Sequence, residues 1–223
     1  MIRLALPKGR NLETALAAFA AGGLDLTALA SDATRDSRRL WHSFPELGCE
    51  VLLLKDRDLP LYVGRGVVDC GIVGRDVLDE VDGDLLVPLE LAGGRSRLSL
   101  IGRAGRSLPG AGAQVQLATK YPRTAERYLD RQPWSAEILE LSGSIELAPL
   151  VGLADLILDI VQTGSTLRAH GLEEIERVRE IVTELLDRYD AAFSKWREDS
   201  EIRRCNRAAT TAPFPATALF CEV

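Results

Sequence analysis

The sequence predicts an α/β protein. Short apolar runs alternate with amphipathic segments of helical spacing along most of the chain. Gly93-Gly94 and the glycine-rich Gly105–Gly112 stretch punctuate the pattern. The 223 residues are enough for one large or two small α/β domains with their own cores.

Taken in order, Ile2–Leu6 reads as an opening strand and Leu12–Ala21 as the helix behind it. Cys49–Leu54 is a second apolar strand. Asp58–Arg65 then reads as a helix, with Pro60 in its first turn, where a missing N–H costs little. Val68–Val73 and Arg75–Val81 repeat the strand-then-helix pattern. Arg97–Gly102 and Ala113–Ala118 are strands, Arg123–Arg131 a helix, and Ala136–Leu141 a strand. Ile145–Gly152 reads as a helix and Leu156–Val161 as a buried strand. Leu172–Trp196 carries Ile175, Val178, Ile181, Val182, Leu185, Leu186, Tyr189 and Phe193, a mostly helical spacing whose first turn is equally compatible with a strand. Gly93-Gly94 and the Gly105–Gly112 stretch read as punctuation. Ala208–Val223 lacks periodicity and reads as a poorly packed or partner-bound tail.

Composition narrows the function classes. A net charge of −6 argues against a nucleic-acid-coating surface, although it permits a local basic pocket. No run approaches the roughly 18 apolar residues of a membrane-spanning helix. The N-terminus reads as a strand entering a turn and not as a cleavable signal, so a cytoplasmic protein is expected. Cys49, Cys70, Cys205 and Cys221 show no zinc spacing, and inert buried thiols are expected at Cys49 and Cys70. With only His42 and His170, chemistry based on imidazole is not expected. GxGxxG and GxxxxGK[ST] are both absent, which removes the main support for Rossmann and Walker-type nucleotide sites.

The most informative stretch runs from Leu156 to Leu167. It is a buried segment holding Asp159 and breaking into Thr163-Gly164-Ser165-Thr166. Such a turn aims backbone N–H groups and three hydroxyls into one small volume, which suits a phosphate. A carboxylate four residues earlier suits the hydroxyls of an attached sugar. Three further turns follow strands and carry cations: Lys8-Gly9-Arg10, Lys55-Asp-Arg57-Asp58 and Thr119-Lys120-Tyr121. Ligands of open α/β sheets bind at the carboxyl ends of strands, so these segments can serve one anionic ligand. Each also has a structural reading. The first is a solvated turn, the second a helix N-cap, the third an ordinary strand exit, and Asp155 and Asp159 are satisfied buried carboxylates.

In combination these segments carry a resemblance. Leu6-Pro-Lys-Gly-Arg10, Asp36-Ser-Arg-Arg-Leu40, Arg57-Asp-Leu-Pro60 and Val67-Val-Asp-Cys-Gly-Ile-Val-Gly-Arg-Asp76 occur in that order. Gly94-Arg-Ser-Arg-Leu98, Ala118-Thr-Lys-Tyr-Pro122, Gly143-Ser-Ile-Glu-Leu-Ala-Pro149 and Asp159-Ile-Val-Gln-Thr-Gly-Ser-Thr-Leu167 follow. From residue 1 to about 172 the chain resembles the short form of the ATP phosphoribosyltransferase family. Beyond Leu172 the resemblance is not visible in the sequence.

The resemblance implies a two-domain α/β fold like that of type II periplasmic binding proteins, with an interdomain active-site cleft. Residues 1–91 plus 178–223 would form one domain and 92–177 the other. It implies that N1 of the ATP adenine displaces pyrophosphate from phosphoribosyl pyrophosphate, opening histidine biosynthesis. Asp155, Asp159, Thr163, Gly164, Ser165, Thr166 and Leu167 would bind phosphoribosyl pyrophosphate. Lys8, Gly9, Arg10, Arg38, Arg57 and Lys120 would bind ATP or the pyrophosphate, with Arg57, Lys8 and Asp159 as the catalytic set. Mg²⁺ would be held mainly by substrate phosphates. The resemblance further implies a homodimer, or a hetero-octamer with a regulatory subunit related to histidyl-tRNA synthetase, and no nucleic-acid or membrane partner. Two other readings stand beside it: a paralogue running the same reaction in a specialised nucleoside pathway, and a non-enzymatic small-molecule binder.

Overall fold

The computed structural model describes residues 1–30, 39–81 and 85–188. The chain divides into two compact units, Met1–Gly94 with Val182–Val223, and Arg95–Ile181.

In the first unit, β1 (Ile2–Pro7) leads into α1 (Arg10–Ala21), followed by β2 (Trp41–Phe44) and β3 (Cys49–Leu54). A single 3-10 turn, Asp56–Asp58, precedes α2 (Leu59–Gly64), β4 (Cys70–Gly74) and the short α3 (Arg75–Leu78). β1 lies between β3 and β4 and pairs parallel to both, with Pro7 opposite Leu54. β2 adds antiparallel to β3. On the other side, β4 pairs antiparallel with the end of β9 (Leu172–Arg188), Gly74 facing Thr183. The pleat sorts the core onto two faces. Leu4, Leu6, Val51 and Leu53 pack with Leu12, Leu16 and Phe19 of α1, whereas Ala5 and Val73 pack with Leu59, Val63 and Val77.

In the second unit the strand order is β9-β5-β8-β6-β7. β5 (Leu85–Arg103) runs antiparallel to β8 (Leu156–Val161), placing Arg97 opposite Val161 and Ser99 opposite Asp159. β6 (Gln114–Thr119) is parallel to both β8 and β7 (Ser135–Glu140). α4 (Pro122–Leu129) covers one face through Ala125 and Tyr128, packed with Leu98, Leu100, Leu117, Trp134 and Leu158. The other face holds Ile101, Ala118, Ile157 and Val161 with Ala148 of α5 (Ala148–Val151) and Leu167 of α6 (Ser165–Ala169).

The one large departure from the sequence reading is the segment after Leu172, expected as a helix and found as β9 through Arg188. Its glutamates explain the difference. A helical reading puts them on a solvent face, but three of them meet partners distant in the chain. Glu174 pairs with Arg97, Glu176 accepts from the Tyr128 hydroxyl at 2.6 Å, and Glu184 pairs with Arg75 at 3.3 Å. With those charges satisfied, the β-branched Ile175, Val178, Ile181, Val182 and Thr183 favour the strand. Residues 189–196 of the expected helix lie outside the described residues. β5 begins at Leu85, twelve residues before its expected start, and β2 was not expected at all. Ile145–Gly152 is divided into a 3-10 turn, Ile145–Leu147, and α5.

α2 is seated on a glycine. A Cβ at Gly71 would lie 2.4 Å from Cδ2 of Leu59, 3.1 Å from the Ala5 carbonyl and 3.3 Å from Val63. Leu59 is fully buried, so it has little room to yield. Gly71→Ala is therefore expected to destabilise the protein by about 1–3 kcal/mol through overpacking. Urea denaturation checks this, and an unchanged midpoint would show that α2 shifts freely.

Candidate active site

In the first unit, parallel pairing brings two cationic turns to the same sheet edge. The Lys8 N–H donates to the Leu54 carbonyl at 2.8 Å, so the chain leaving β1 lies against the end of β3. Gly9 then turns with φ +87° and ψ −142°, a backbone conformation that residues with a Cβ rarely adopt. α1 begins at Arg10, and its first N–H groups face this edge with the positive end of the helix dipole. Asn11 Nδ2 donates to Asp56 Oδ2 at 3.2 Å, tying the first turn to the Asp56–Asp58 turn that carries Arg57. Lys8 and Arg57 are both exposed. Arg38 lies outside the described residues.

In the second unit, the carboxyl ends of β6 and β8 are neighbours, and Thr119 is aligned with Leu158. The buried Thr119 hydroxyl donates to the Leu158 carbonyl at 2.7 Å and accepts the Tyr121 N–H at 2.9 Å, which fixes how the chain leaves β6. Lys120 therefore reaches β8, with Nζ 3.3 Å from Asp159 Oδ1 and 5.1 Å from the Tyr121 ring centroid. The same Asp159 oxygen accepts the Ile160 N–H at 2.8 Å. Sequence reasoning placed Asp159 on a sugar and Lys120 on a phosphate; the structure makes them an ion pair.

The turn after β8 pivots on Gly164, at φ +71°. The Thr163 and Ser165 hydroxyls are 2.9 Å apart, and the Ser165 N–H reaches the Thr163 hydroxyl at 3.4 Å. α6 starts at Ser165 and is anchored by the burial of Leu167. Thr163, Ser165 and Thr166 are exposed at the turn, so hydroxyls and the first N–H groups of α6 share one small region. Leu167 contributes packing.

Asp155 is placed elsewhere. It precedes β8, four residues or roughly 13 Å of strand from Asp159. Its Oδ2 accepts the Gln116 N–H at 3.0 Å and its Oδ1 accepts from Arg106 Nη2 at 3.1 Å, while its own N–H bonds the Gln116 carbonyl. It closes the amino ends of β6 and β8, opposite the end that carries the turn. The sequence reading grouped the two aspartates because they share one apolar run; strand geometry separates them.

Arg97, Ser99 and Glu174 were not singled out as site residues, yet they adjoin the turn. Arg97 Nη1 donates to the Gln162 carbonyl at 2.8 Å, and its Nε donates to Glu174 Oε2 at 2.7 Å. The Arg97 guanidinium, helped by the Ser99 hydroxyl, holds the Glu174 carboxyl below its usual range despite partial burial. Arg97 stands in one of the segments that carried the resemblance, but its glutamate partner lies 77 residues away and no local pattern indicates it. His42 is buried with Nε2 3.2 Å from the Arg39 carbonyl, and His170 Nδ1 lies 2.9 Å from the backbone carbonyl of Thr166 in the turn. Cys49 is buried, and burial pushes its thiol pKa up.

Comparison with known proteins gives one consistent result. The sequence model of the family HisG, ATP phosphoribosyltransferase, matches residues 55–207. The match therefore continues past Leu172, where the likeness was no longer visible by eye. The ATP phosphoribosyltransferase of Deinococcus radiodurans is 48% identical over 175 residues, covering 78% of this chain and 75% of that protein. A solved ATP phosphoribosyl transferase (HisG:HisZ) complex from Thermotoga maritima contains a similar chain, at TM-score 0.74 and 29% identity. That likeness covers 94% of this chain and 98% of that one. The periplasmic aliphatic sulphonate binding protein SsuA of Escherichia coli shares the fold, at TM-score 0.56 and 10% identity over 98% of this chain and 81% of its own.

Asp155 gives a pH signature. The Gln116 N–H, and then Arg106, hold its carboxyl below the ordinary 3.8 against the opposing effect of burial. A carboxyl with a depressed folded pKa stabilises above its unfolded pKa, and that contribution fades as pH falls through the folded value. Asp155→Asn should therefore melt below wild type near neutral pH, with the two curves converging below about pH 3.8. Thermal melts across pH test this; a gap that persists or widens in acid would contradict it.

Proposed function

The chain belongs to the ATP phosphoribosyltransferase family, enzymes of the first step of histidine biosynthesis, and we propose how its residues divide that reaction. The carrying observation is the hydroxyl-rich turn after β8, beside the Asp159–Lys120 pair. Its N–H groups and the Thr163, Ser165 and Thr166 hydroxyls take the 5′-phosphate of phosphoribosyl pyrophosphate, with Gly164 supplying the pivot. Asp159 Oδ1 meets the Lys120 ammonium and the Ile160 N–H, and Oδ2 is assigned to the ribose hydroxyls. Lys120 then holds the Asp159 carboxylate in place and contributes positive charge near the bound anion.

The reaction is a displacement at the anomeric carbon. Adenine N1 supplies the electron pair, the C1–O bond breaks, and pyrophosphate leaves with the pair. Positive charge gathers on the ribose and negative charge on the leaving oxygens. Cations at the pyrophosphate therefore stabilise the transition state more than the ground state. Lys8, Arg10 and Arg57, on the turns after β1 and β3, are assigned to that charge, with the α1 N–H groups beside them. Gly9 lets the Lys8 turn follow the sheet edge. Arg38 is assigned to the ATP phosphates. Adenine N1 is itself the nucleophile, so the scheme needs no covalent intermediate and no histidine.

No group of three or more His, Cys, Asp or Glu side chains clusters into a metal cage among the described residues. A Mg²⁺ is proposed to be carried on the substrate phosphates, which are the hard oxygen ligands it prefers. When bound there, the ion supplies charge that lowers the cost of pyrophosphate departure.

The Thermotoga complex pairs its chain with HisZ. We extend this to a working assembly in which this chain forms a dimer and joins a regulatory subunit related to histidyl-tRNA synthetase. No helix among the described residues is long and apolar enough to cross a membrane. A cytoplasmic enzyme is proposed from the biosynthetic reaction of the family.

Mixing the protein with ATP, Mg²⁺ and phosphoribosyl pyrophosphate should raise the ultraviolet absorbance of the adduct. Arg57→Ala should lower kcat by about 10²–10³-fold with the melting temperature retained. Asp159→Ala should act mainly by raising KM for phosphoribosyl pyrophosphate, about tenfold or more. Absence of product with the HisZ-type subunit present would end this reading.

A further inference from the structure

We infer that Arg97 is a positioning residue, clamped by Glu174 and Ser99, that aims the Thr163 N–H into the phosphate turn. The inference rests on the reading of that turn as the phosphoribosyl pyrophosphate site. Arg97 sits on β5 directly across from Val161, the last residue of β8. Its guanidinium faces two ways. Nε and Nη2 form a two-pronged pair with the carboxylate of Glu174 on β9, while Nη1 donates to the Gln162 carbonyl at 2.8 Å. The Ser99 hydroxyl, wholly buried, donates to Glu174 Oε2 at 2.8 Å and so fixes the carboxylate itself. A planar guanidinium held in this way has little rotational freedom.

The consequence follows from peptide geometry. Every peptide described is trans, so the Gln162 carbonyl and the Thr163 N–H lie in one plane and point in opposite directions. By holding that carbonyl on the Arg97 side, the clamp turns the Thr163 N–H the other way. The next residue is Gly164, whose positive φ leaves the turn without the restraint a Cβ would give. Arg97 Nη2 lies 4.0 Å from where a Gly164 Cβ would stand, at ordinary contact distance, while Arg168 Nη1 lies 3.3 Å from it and donates to the Thr163 carbonyl at 3.3 Å on the other side of the residue.

The same contacts argue against Arg97 as a direct phosphate ligand. Its charge is matched by Glu174 and its donors on both branches are engaged, so it supplies geometry and little net field. The two roles predict opposite effects for one substitution. Glu174→Gln removes the matching charge while keeping the side-chain shape. A direct ligand would then bind phosphoribosyl pyrophosphate more tightly, whereas a brace would bind it more weakly.

Steady-state kinetics on the full chain, with the HisZ-type subunit added, separate these outcomes. We expect Glu174→Gln and Arg97→Lys each to raise KM for phosphoribosyl pyrophosphate about tenfold, with KM for ATP nearly unchanged. The double variant should be no worse than the stronger single, because both break one clamp. Ser99→Ala, the mildest change, should raise the same KM by a smaller factor, so the test survives if Glu174→Gln folds poorly. Thr163→Ala is the control. If it raises KM while Glu174→Gln lowers or leaves it, the brace is overturned and the turn reading stands. If Thr163→Ala leaves KM unchanged, the turn is not the phosphate site and the inference falls with it. A loss of melting temperature with both KM values moving together would assign the clamp to folding alone and overturn the inference.

Discussion

Parallel pairing between neighbouring strands is the constraint on which the candidate site depends. Parallel strands end on the same side, so whatever follows them leaves the sheet along one edge. β1 and β3 are paired through Pro7 and Leu54, and the next residues are Lys8 and the run to Arg57. β6 and β8 are paired through Thr119 and Leu158, and the next residues are Lys120 and Asp159. In each unit two groups far apart in sequence become neighbours because of strand direction alone. Antiparallel pairing would have sent each pair to opposite edges. The burial of Leu59 against Gly71 and the Thr119 hydroxyl bond to β8 then fix the turns themselves.

The alternation of apolar runs with amphipathic segments was enough to find β1, β3, β6, β7 and β8 within a residue or so, because each is bounded by polar or turn residues. It was not enough for β9. Periodicity reads a glutamate as a solvent-facing residue, and β9 satisfies three of them through Arg97, Tyr128 and Arg75. None of those partners lies within 40 residues of its glutamate, so no local window contains the information. β2 was hidden differently: four residues with a mixed polar pattern gain their strand character from pairing with β3.

The turns of the site were legible because cations, glycine and hydroxyls cluster in short segments. What was not legible was the division of labour. Asp155 and Asp159 sit in one run and looked alike, yet Asp155 precedes β8 at its amino end and Asp159 lies within it toward the carboxyl end. Lys120 and Asp159 looked like separate ligands, but they form one pair. Arg97 was not singled out, and its partner Glu174 lies 77 residues away. Sequence patterns show which residue types are present, while these roles were set by strand direction and by partners distant along the chain.

Those partners also separate the cations by what each can do. Arg97 and Arg75 face buried or half-buried carboxylates, and a charge matched inside the protein holds shape without attracting much else. Lys8 and Arg57 stand exposed on the turns that follow the paired strands β1 and β3, where a substrate anion can approach them. Lys120 lies between these cases, paired with a carboxylate that is itself assigned to the sugar. In a chain of net charge −6, basic residues alone would not mark an anion site. It is the placement of exposed cations on turns at strand ends that equips an acidic protein for polyphosphate substrates.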